Sequence, residues 1–375
     1  PLAAFAIALP GVAGTAAETF EYAFAGWTLL LAAAVVLLAG ALAARSGGDR
    51  RLALFATAAM PFLLGAMVRT HFDLAPMALL LGALLLLCAG RPRLGLAVLG
   101  LAVMTKGFPL VAAPVAIAWL VGRGDRKAAI DGGLLLAGVV LVLALLSVAV
   151  SPLGAKDAFE YQTQRPIQIE STPAVVLRTL DGLGLGETTK DTSHRSDGLL
   201  HPADGAVGTV AMVALLAAIA GFTLMAAAAG RSAAGSAPLH ERSHGGESAP
   251  PGEDPSPGED VPPGEARVLV LAALAAVLAF AVLGKVLSPQ YLIWIVPLGA
   301  LALSWRRYAL AATILAACVL TQIEFPTRYL ELVDGDAFAV AVVVARDLTL
   351  LAALALCARD LRALRTPARA AARSA

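Results

Sequence analysis

Eight consecutive residues, Gly284-Lys285-Val286-Leu287-Ser288-Pro289-Gln290-Tyr291, place an ammonium, a hydroxyl, a carboxamide and a phenol between two apolar runs. The flanking residues 268–283 and 292–304 carry no charged side chain, so polar groups crowded at the end of such helices are expensive unless they act. Their chemistry suits an anionic head group and a polyol at a membrane surface. Four more cations stand at comparable breaks in the apolar pattern: Arg69, Lys106, Arg165 and Arg328. A single one there normally snorkels along its helix end. Five shift the reading toward an anion site, with a phosphate held by point charges. Lys285 and Lys106 lead that set, each beside turn-forming residues.

Acids and amides lie close to these cations in sequence. In Arg69-Thr70-His71-Phe72-Asp73 the first and last residues are four apart and could pair with each other. In Arg165-Pro166-Ile167-Gln168-Ile169-Glu170-Ser171 the polar Gln168 and Glu170 alternate with isoleucines, so both can point the same way. Arg346-Asp347 falls in the middle of the last apolar run, where an ion serves function or helix packing. Glu331, Asp334 and Asp336 read as a solvated loop, and Trp119, Trp294 and Trp305 as interfacial belt anchors.

The elements that must position these groups are membrane helices. The 375 residues are 59% hydrophobic and only 15% charged, with a mean hydropathy of +0.79. Soluble domains carry nearer a quarter charged residues, so an all-α polytopic membrane protein is expected. A net charge of +1 gives no sign of nucleic acid as a partner. Cys88, Cys318 and Cys357 fall inside apolar runs and offer no disulfide framework. The scattered histidines make no metal-ligand spacing, so no metal or cofactor is expected.

Basic clusters at Arg45/Arg50/Arg51, Arg91/Arg93, Arg123/Arg126/Lys127, Arg306/Arg307 and from Arg359 to Arg373 mark the cytoplasmic side. Between them the apolar runs 23–44, 52–68, 74–89, 94–105, 108–121, 128–150, 207–229, 268–283, 292–304, 308–322 and 337–357 predict eleven crossings. Residues 94–121 allow only about 14 per leg, ~21 Å against a hydrocarbon core of about 30 Å. A hairpin broken at Lys106-Gly107 is therefore expected, with Pro109 and Pro114 favouring the break. Residues 2–13 are too short to span and read as an interfacial helix on the outer face. The predicted organisation is an N-terminal membrane part (1–230) with an outer loop (151–206), a linker (231–267), a C-terminal membrane part (268–358) and a basic cytoplasmic tail (359–375). The linker is rich in Pro, Gly and Glu and reads as disordered.

The runs RTHFDLAP (69–76), GLAVMTKGFPLVAAP (100–114), QRPIQIES (164–171) and GKVLSPQYLIWIVPL (284–298) resemble those of GT-C glycosyltransferases, specifically glycosyltransferase family 87. The resemblance covers most of the chain apart from the linker. It implies a GT-C bundle in an actinobacterial-type plasma membrane, with an active site facing outside. It further implies a polyprenyl-phosphate-mannose donor and a glycolipid or glycan acceptor of the cell envelope. The family's catalytic acid stands just before a YPPL-like stretch, of which Pro1-Leu2 would be the end, so the resemblance places the base upstream of Pro1, in a chain truncated at its N-terminus. Glu170 and Asp73 are the fallback acids. In some relatives the SPQY block contains a His, where Gln290 and Tyr291 stand here.

The residues agree with such chemistry. Expelling a phosphate calls for cations, which Lys106, Arg165, Lys285 and Arg69 could supply. The acceptor hydroxyl needs a carboxylate base within hydrogen-bond reach. Gln168, Glu170, Ser171, Ser288, Gln290 and Tyr291 suit the hydroxyls of sugar or acceptor. The rival reading is a transporter or flippase of a lipid-linked or anionic substrate, which also uses broken helices. Transporters usually place polar groups near the midplane and show internal repeats. Here they collect at one face and no repeat is evident. A structural scaffold would leave the polar breaks without a role.

Overall fold

The computed structural model describes residues 2–14, 16–234 and 261–373. Seventeen helices are seen among them: α1 (Leu2–Ala8), α2 (Ala17–Arg45), α3 (Arg50–Ala58), α4 (Met60–Leu64), α5 (Met67–Thr70), α6 (Leu74–Cys88), α7 (Pro92–Thr105), α8 (Ala112–Gly122) and α9 (Arg126–Val150). They continue with α10 (Pro152–Gln164), α11 (Thr172–Gly182), α12 (Asp204–Ala234), α13 (Pro263–Leu283), α14 (Leu292–Ser304), α15 (Tyr308–Glu324), α16 (Tyr329–Asp334) and α17 (Ala337–Arg373). Five of these are long and apolar enough to cross a membrane: α2, α9, α12, α13 and the Ala337–Leu364 part of α17.

Two helices of similar apolarity show how the bundle is built. The most apolar 18-residue stretch of α13 is 83% buried, while that of α9 is 6% buried. A helix apolar on every side can sit at the centre, and α13 packs against α8, α12, α14 and α17. The same composition with Leu134, Leu141, Leu145 and Val150 exposed belongs in lipid. Small residues let the backbones approach: a Cβ on Gly122 of α8 would lie 2.2 Å from the Ala227 carbonyl oxygen of α12.

The hairpin break falls at Lys106-Gly107, where α7 stops and a 3-10 turn, Phe108–Val111, leads into α8. Residues 52–68 behave differently from the single crossing expected. They fold as α3, α4 and α5, because Pro61 begins a new turn and Gly65 adopts φ +58°. The helices flanking the linker are longer than predicted, α12 running to Ala234 and α13 starting at Pro263. The remainder of that linker, 235–260, lies outside the described residues. The two membrane parts form one packed core, since α13 touches helices of the first part directly. Residues 359–373 continue α17 without a break.

Residues 151–206 add a feature the all-α reading lacks. Strands β1 (Ile167–Gln168), β2 (Thr189–Asp191) and β3 (Gly198–Leu200) form an antiparallel sheet in the order β1-β3-β2, with Ile167 opposite Leu199 and Lys190 also opposite Leu199. Ile167, Ile169, Leu177, Leu199, Leu332 and Val343 make a second, smaller core beneath it. The isoleucines that alternate with Gln168 and Glu170 therefore pack on protein.

Connections sort to two ends. At one, Trp305 donates to Ser46 Oγ (3.0 Å), Arg267 to the Gly47 carbonyl (2.9 Å), and Arg307 pairs with Asp360 (3.7 Å). Arg123 bridges to Glu265 at the same end. Arg123 and Arg307 of the predicted basic clusters lie at this end. The polar breaks gather at the other.

Candidate functional site

Two charged clusters lie at the polar end. In the first, Asp73 at the start of α6 is fully buried. Its Oδ1 accepts from Lys106 Nζ (2.6 Å) and from Trp294 Nε1 (2.5 Å). The break after α7 brings Lys106 there, and α14 brings Trp294. The indole is stacked on both faces, against Phe108 (centroids 4.0 Å apart) and Tyr291 (3.9 Å). Lys106 Nζ lies 5.1 Å from the ring centroids of both Phe72 and Trp294, adding cation–π attraction to the ion pair. Asp73 thus pairs with Lys106, not with Arg69, which is exposed at the end of α5 and makes no ion pair among the described residues. Trp294 is a buried member of the site, not a belt anchor. Trp119 and Trp305 are buried too, each donating its indole N–H to protein oxygen, which removes them from the lipid interface.

Beside this cluster the Gly284–Tyr291 segment meets residues 163–168. The Gln168 N–H donates to the Lys285 carbonyl (3.0 Å), and the Leu287 N–H donates to Gln168 Oε1 (2.9 Å). Lys285 Nζ donates to the carbonyls of Thr163 (3.0 Å) and Arg165 (2.8 Å), at the C-terminus of α10 where a cation is favoured. Arg165 donates to Ser196 Oγ (2.6 Å) and stacks over Tyr161. No carboxylate pairs with Lys285 or Arg165 among the described residues. Burial, and after it the nearby Arg165 charge, lowers the Lys285 pKa. Ser288, Gln290 and Tyr291 line the same segment half-buried, and the side chains of Ser288 and Gln290 engage no partner among the described residues. Tyr291 lies within the fields of both Arg165 and Asp73.

The second cluster is sealed. Arg346 of α17 is 1% exposed and faces three carboxylates: Asp347 Oδ1 (3.0 Å), Glu324 Oε2 (3.5 Å) and Glu170 Oε1 (3.9 Å). Its other terminal nitrogen donates to the Glu170 carbonyl. Gln168 donates to Glu170 Oε2, so the two polar side chains do point the same way, into the protein. Ser171 caps α11 and donates to the Gln168 carbonyl (2.7 Å). Thr172 reaches Asp347 (3.2 Å). Burial first, then the Glu324 carboxylate, pushes the Glu170 carboxyl well above the ordinary carboxylate range.

The sequence-predicted residues therefore divide. Lys106, Lys285, Arg165, Ser288, Gln290 and Tyr291 are each half-buried, and Ser288 and Gln290 keep spare hydrogen-bonding capacity among the described residues. Gln168, Glu170 and Ser171 are buried with protein partners and act as a scaffold beneath them. Glu324 was not foreseen, since a lone acid at the end of an apolar run gives no local sign that a guanidinium 22 residues later will reach it. No metal-binding group of three His, Cys, Asp or Glu side chains occurs among the described residues. No protein-family model, curated protein or solved structure matches the chain.

Proposed function

We propose that the chain is a membrane glycosyltransferase that moves a sugar, mannose in the simplest form of the reading, from a polyprenyl-phosphate donor to an envelope glycolipid or glycan. The observation that carries this is the Lys285–Arg165 pair: two neighbouring cations that have no carboxylate partner among the described residues, near the hydroxyl of Ser288 and the amide of Gln290. An anion placed between them would relieve their repulsion and gain charge-assisted hydrogen bonds. In the reaction the acceptor oxygen bonds to the anomeric carbon as the bond from that carbon to phosphate oxygen breaks. The cations stabilise the departing polyprenyl phosphate. A carboxylate takes the acceptor proton. Glu170 is sealed and Asp73 is held by Lys106 and Trp294, which supports positioning roles for both. The shorter helices, with α3, α4 and α5 together making one broken crossing, would complete an eleven-pass, GT-C-like bundle with this end facing outside an actinobacterial-type membrane.

A transporter or flippase is the second reading, favoured by the buried Arg346 network, of a kind that serves ion coupling in membranes. The gathering of polar groups at one end favours transfer. The deciding assay uses proteoliposomes with radiolabelled polyprenyl-phosphate mannose and an envelope lipid extract. Label is expected in the acceptor fraction, falling at least about tenfold with Lys285→Ala through loss of a charge-assisted bond. Movement of the donor between leaflets with no label transferred would establish the second reading instead.

A further inference from the structure

We propose that Glu170 and Glu324 share one bound proton, and that this proton latches the 167–171 segment onto α15 and α17. Three carboxylates face a single guanidinium, and every one of these four side chains is nine-tenths or more buried. Fully ionised, the group would hold two uncompensated negative charges in a low-dielectric interior, which is strongly unfavourable. Glu170 Oε1 and Glu324 Oε1 are both sealed from solvent and have no hydrogen-bond donor. Both carboxyls approach the same Arg346 nitrogen, Glu324 Oε2 at 3.5 Å and Glu170 Oε1 at 3.9 Å, which gathers them around one point. One proton held by this pair removes one of the two excess charges and turns a carboxylate without a donor into a group that can itself donate.

Among the described residues Arg346 is the cation that faces these carboxyls. From α17 the facing groups are Arg346 and Asp347, and from α15 Glu324 itself. From α16 comes Tyr329, whose hydroxyl donates to Asp197 (2.6 Å) in the segment before β3. The raised Glu170 carboxyl agrees with a bound proton. What the latch controls follows from Gln168. That side chain donates to Glu170 and accepts from Leu287, while the Gln168 backbone holds the Lys285 carbonyl. Loss of the proton sets like charges against each other directly under the residue that positions Lys285.

The proton site stands or falls without reference to glycosyl transfer, because its test needs no substrate. Infrared spectra would be recorded on the full chain in lipid nanodiscs, with glutamate carboxyls carrying carbon-13. A protonated-carboxyl C=O band at neutral pH, sensitive to deuterium and shifted by the glutamate label, is expected. Glu170 and Glu324 are the buried glutamates among the described residues, so the labelled wild type identifies the pair even if variants fold poorly. The double substitution Glu170→Gln with Glu324→Gln should abolish the band. Absence of a glutamate carboxyl band from the wild type, or its survival in the double variant, overturns the proposal.

Discussion

The two charged clusters at the polar end differ in balance and in access. Asp73 faces one ammonium, and that ammonium is 23% exposed beside free polar groups. Arg346 faces three acids and is closed to water. A balanced, half-open pair can lend charge to a ligand at little reorganisation cost. An unbalanced, sealed one holds backbone segments in place and is poorly suited to meet a substrate. Sequence position suggested the reverse for Glu170, which stands among candidate binding residues yet belongs to the sealed cluster.

Arg346→Met would break this comparison most sharply. It leaves three buried carboxylates without their cation, and removing one partner of a buried pair costs about 3–5 kcal/mol. Thermal unfolding in detergent should show a large loss of stability. A melting temperature close to wild type would mean that the network is not what fixes the loop. Lys106→Met should cost less, about 1–3 kcal/mol, because the ammonium is partly solvated and Trp294 still donates to Asp73. Its larger effect should be on binding of polyprenyl phosphate. Trp294→Phe keeps a ring between Phe108 and Tyr291 but removes one donor from buried Asp73, for about 1–2 kcal/mol by the same assay.

Proton linkage sharpens the contrast further. The folded Glu170 pKa lies above its unfolded value, so its contribution is full below the ordinary carboxyl range and is lost as pH rises through the folded value. Amide hydrogen exchange at Ile169 and Ser171, corrected for its intrinsic pH dependence, should therefore accelerate as pH increases. Protection that grows with pH would contradict this sign. The smallest effect belongs to Lys190→Ala, whose bridge to Asp334 (2.9 Å) is exposed on both sides and should be worth about 0–1 kcal/mol.

Much of the fold was legible because hydrophobic runs bounded by charges define membrane helices. The limits of α14 and the break at Lys106-Gly107 follow directly from the residues. The alternation in 167–170 correctly put Gln168 and Glu170 on one side. It could not say that this side was the interior, because the covering residues, Leu287, Glu324 and Arg346, are more than a hundred positions away. Distance also hid the Asp73 site. Arg69 was the neighbour in sequence, but the partners come from positions 106 and 294. The 52–68 run has the composition of a crossing, yet Pro61 and Gly65 divide it. Tryptophans near helix ends have the same composition whether they face lipid or a packed indole pocket.

The central claim is that the region beside Lys285 and Arg165 holds the phosphate of a lipid-linked sugar. Equilibrium binding of polyprenyl phosphate to the purified chain in nanodiscs tests it most directly, comparing wild type, Lys285→Ala, Arg165→Ala and Arg328→Ala. Arg328 pairs with Glu331 (2.6 Å), so its loss should leave binding unchanged. Each of the other two should weaken binding at least about tenfold, the loss of one charge-assisted hydrogen bond. Equal affinities across all four proteins would contradict the account.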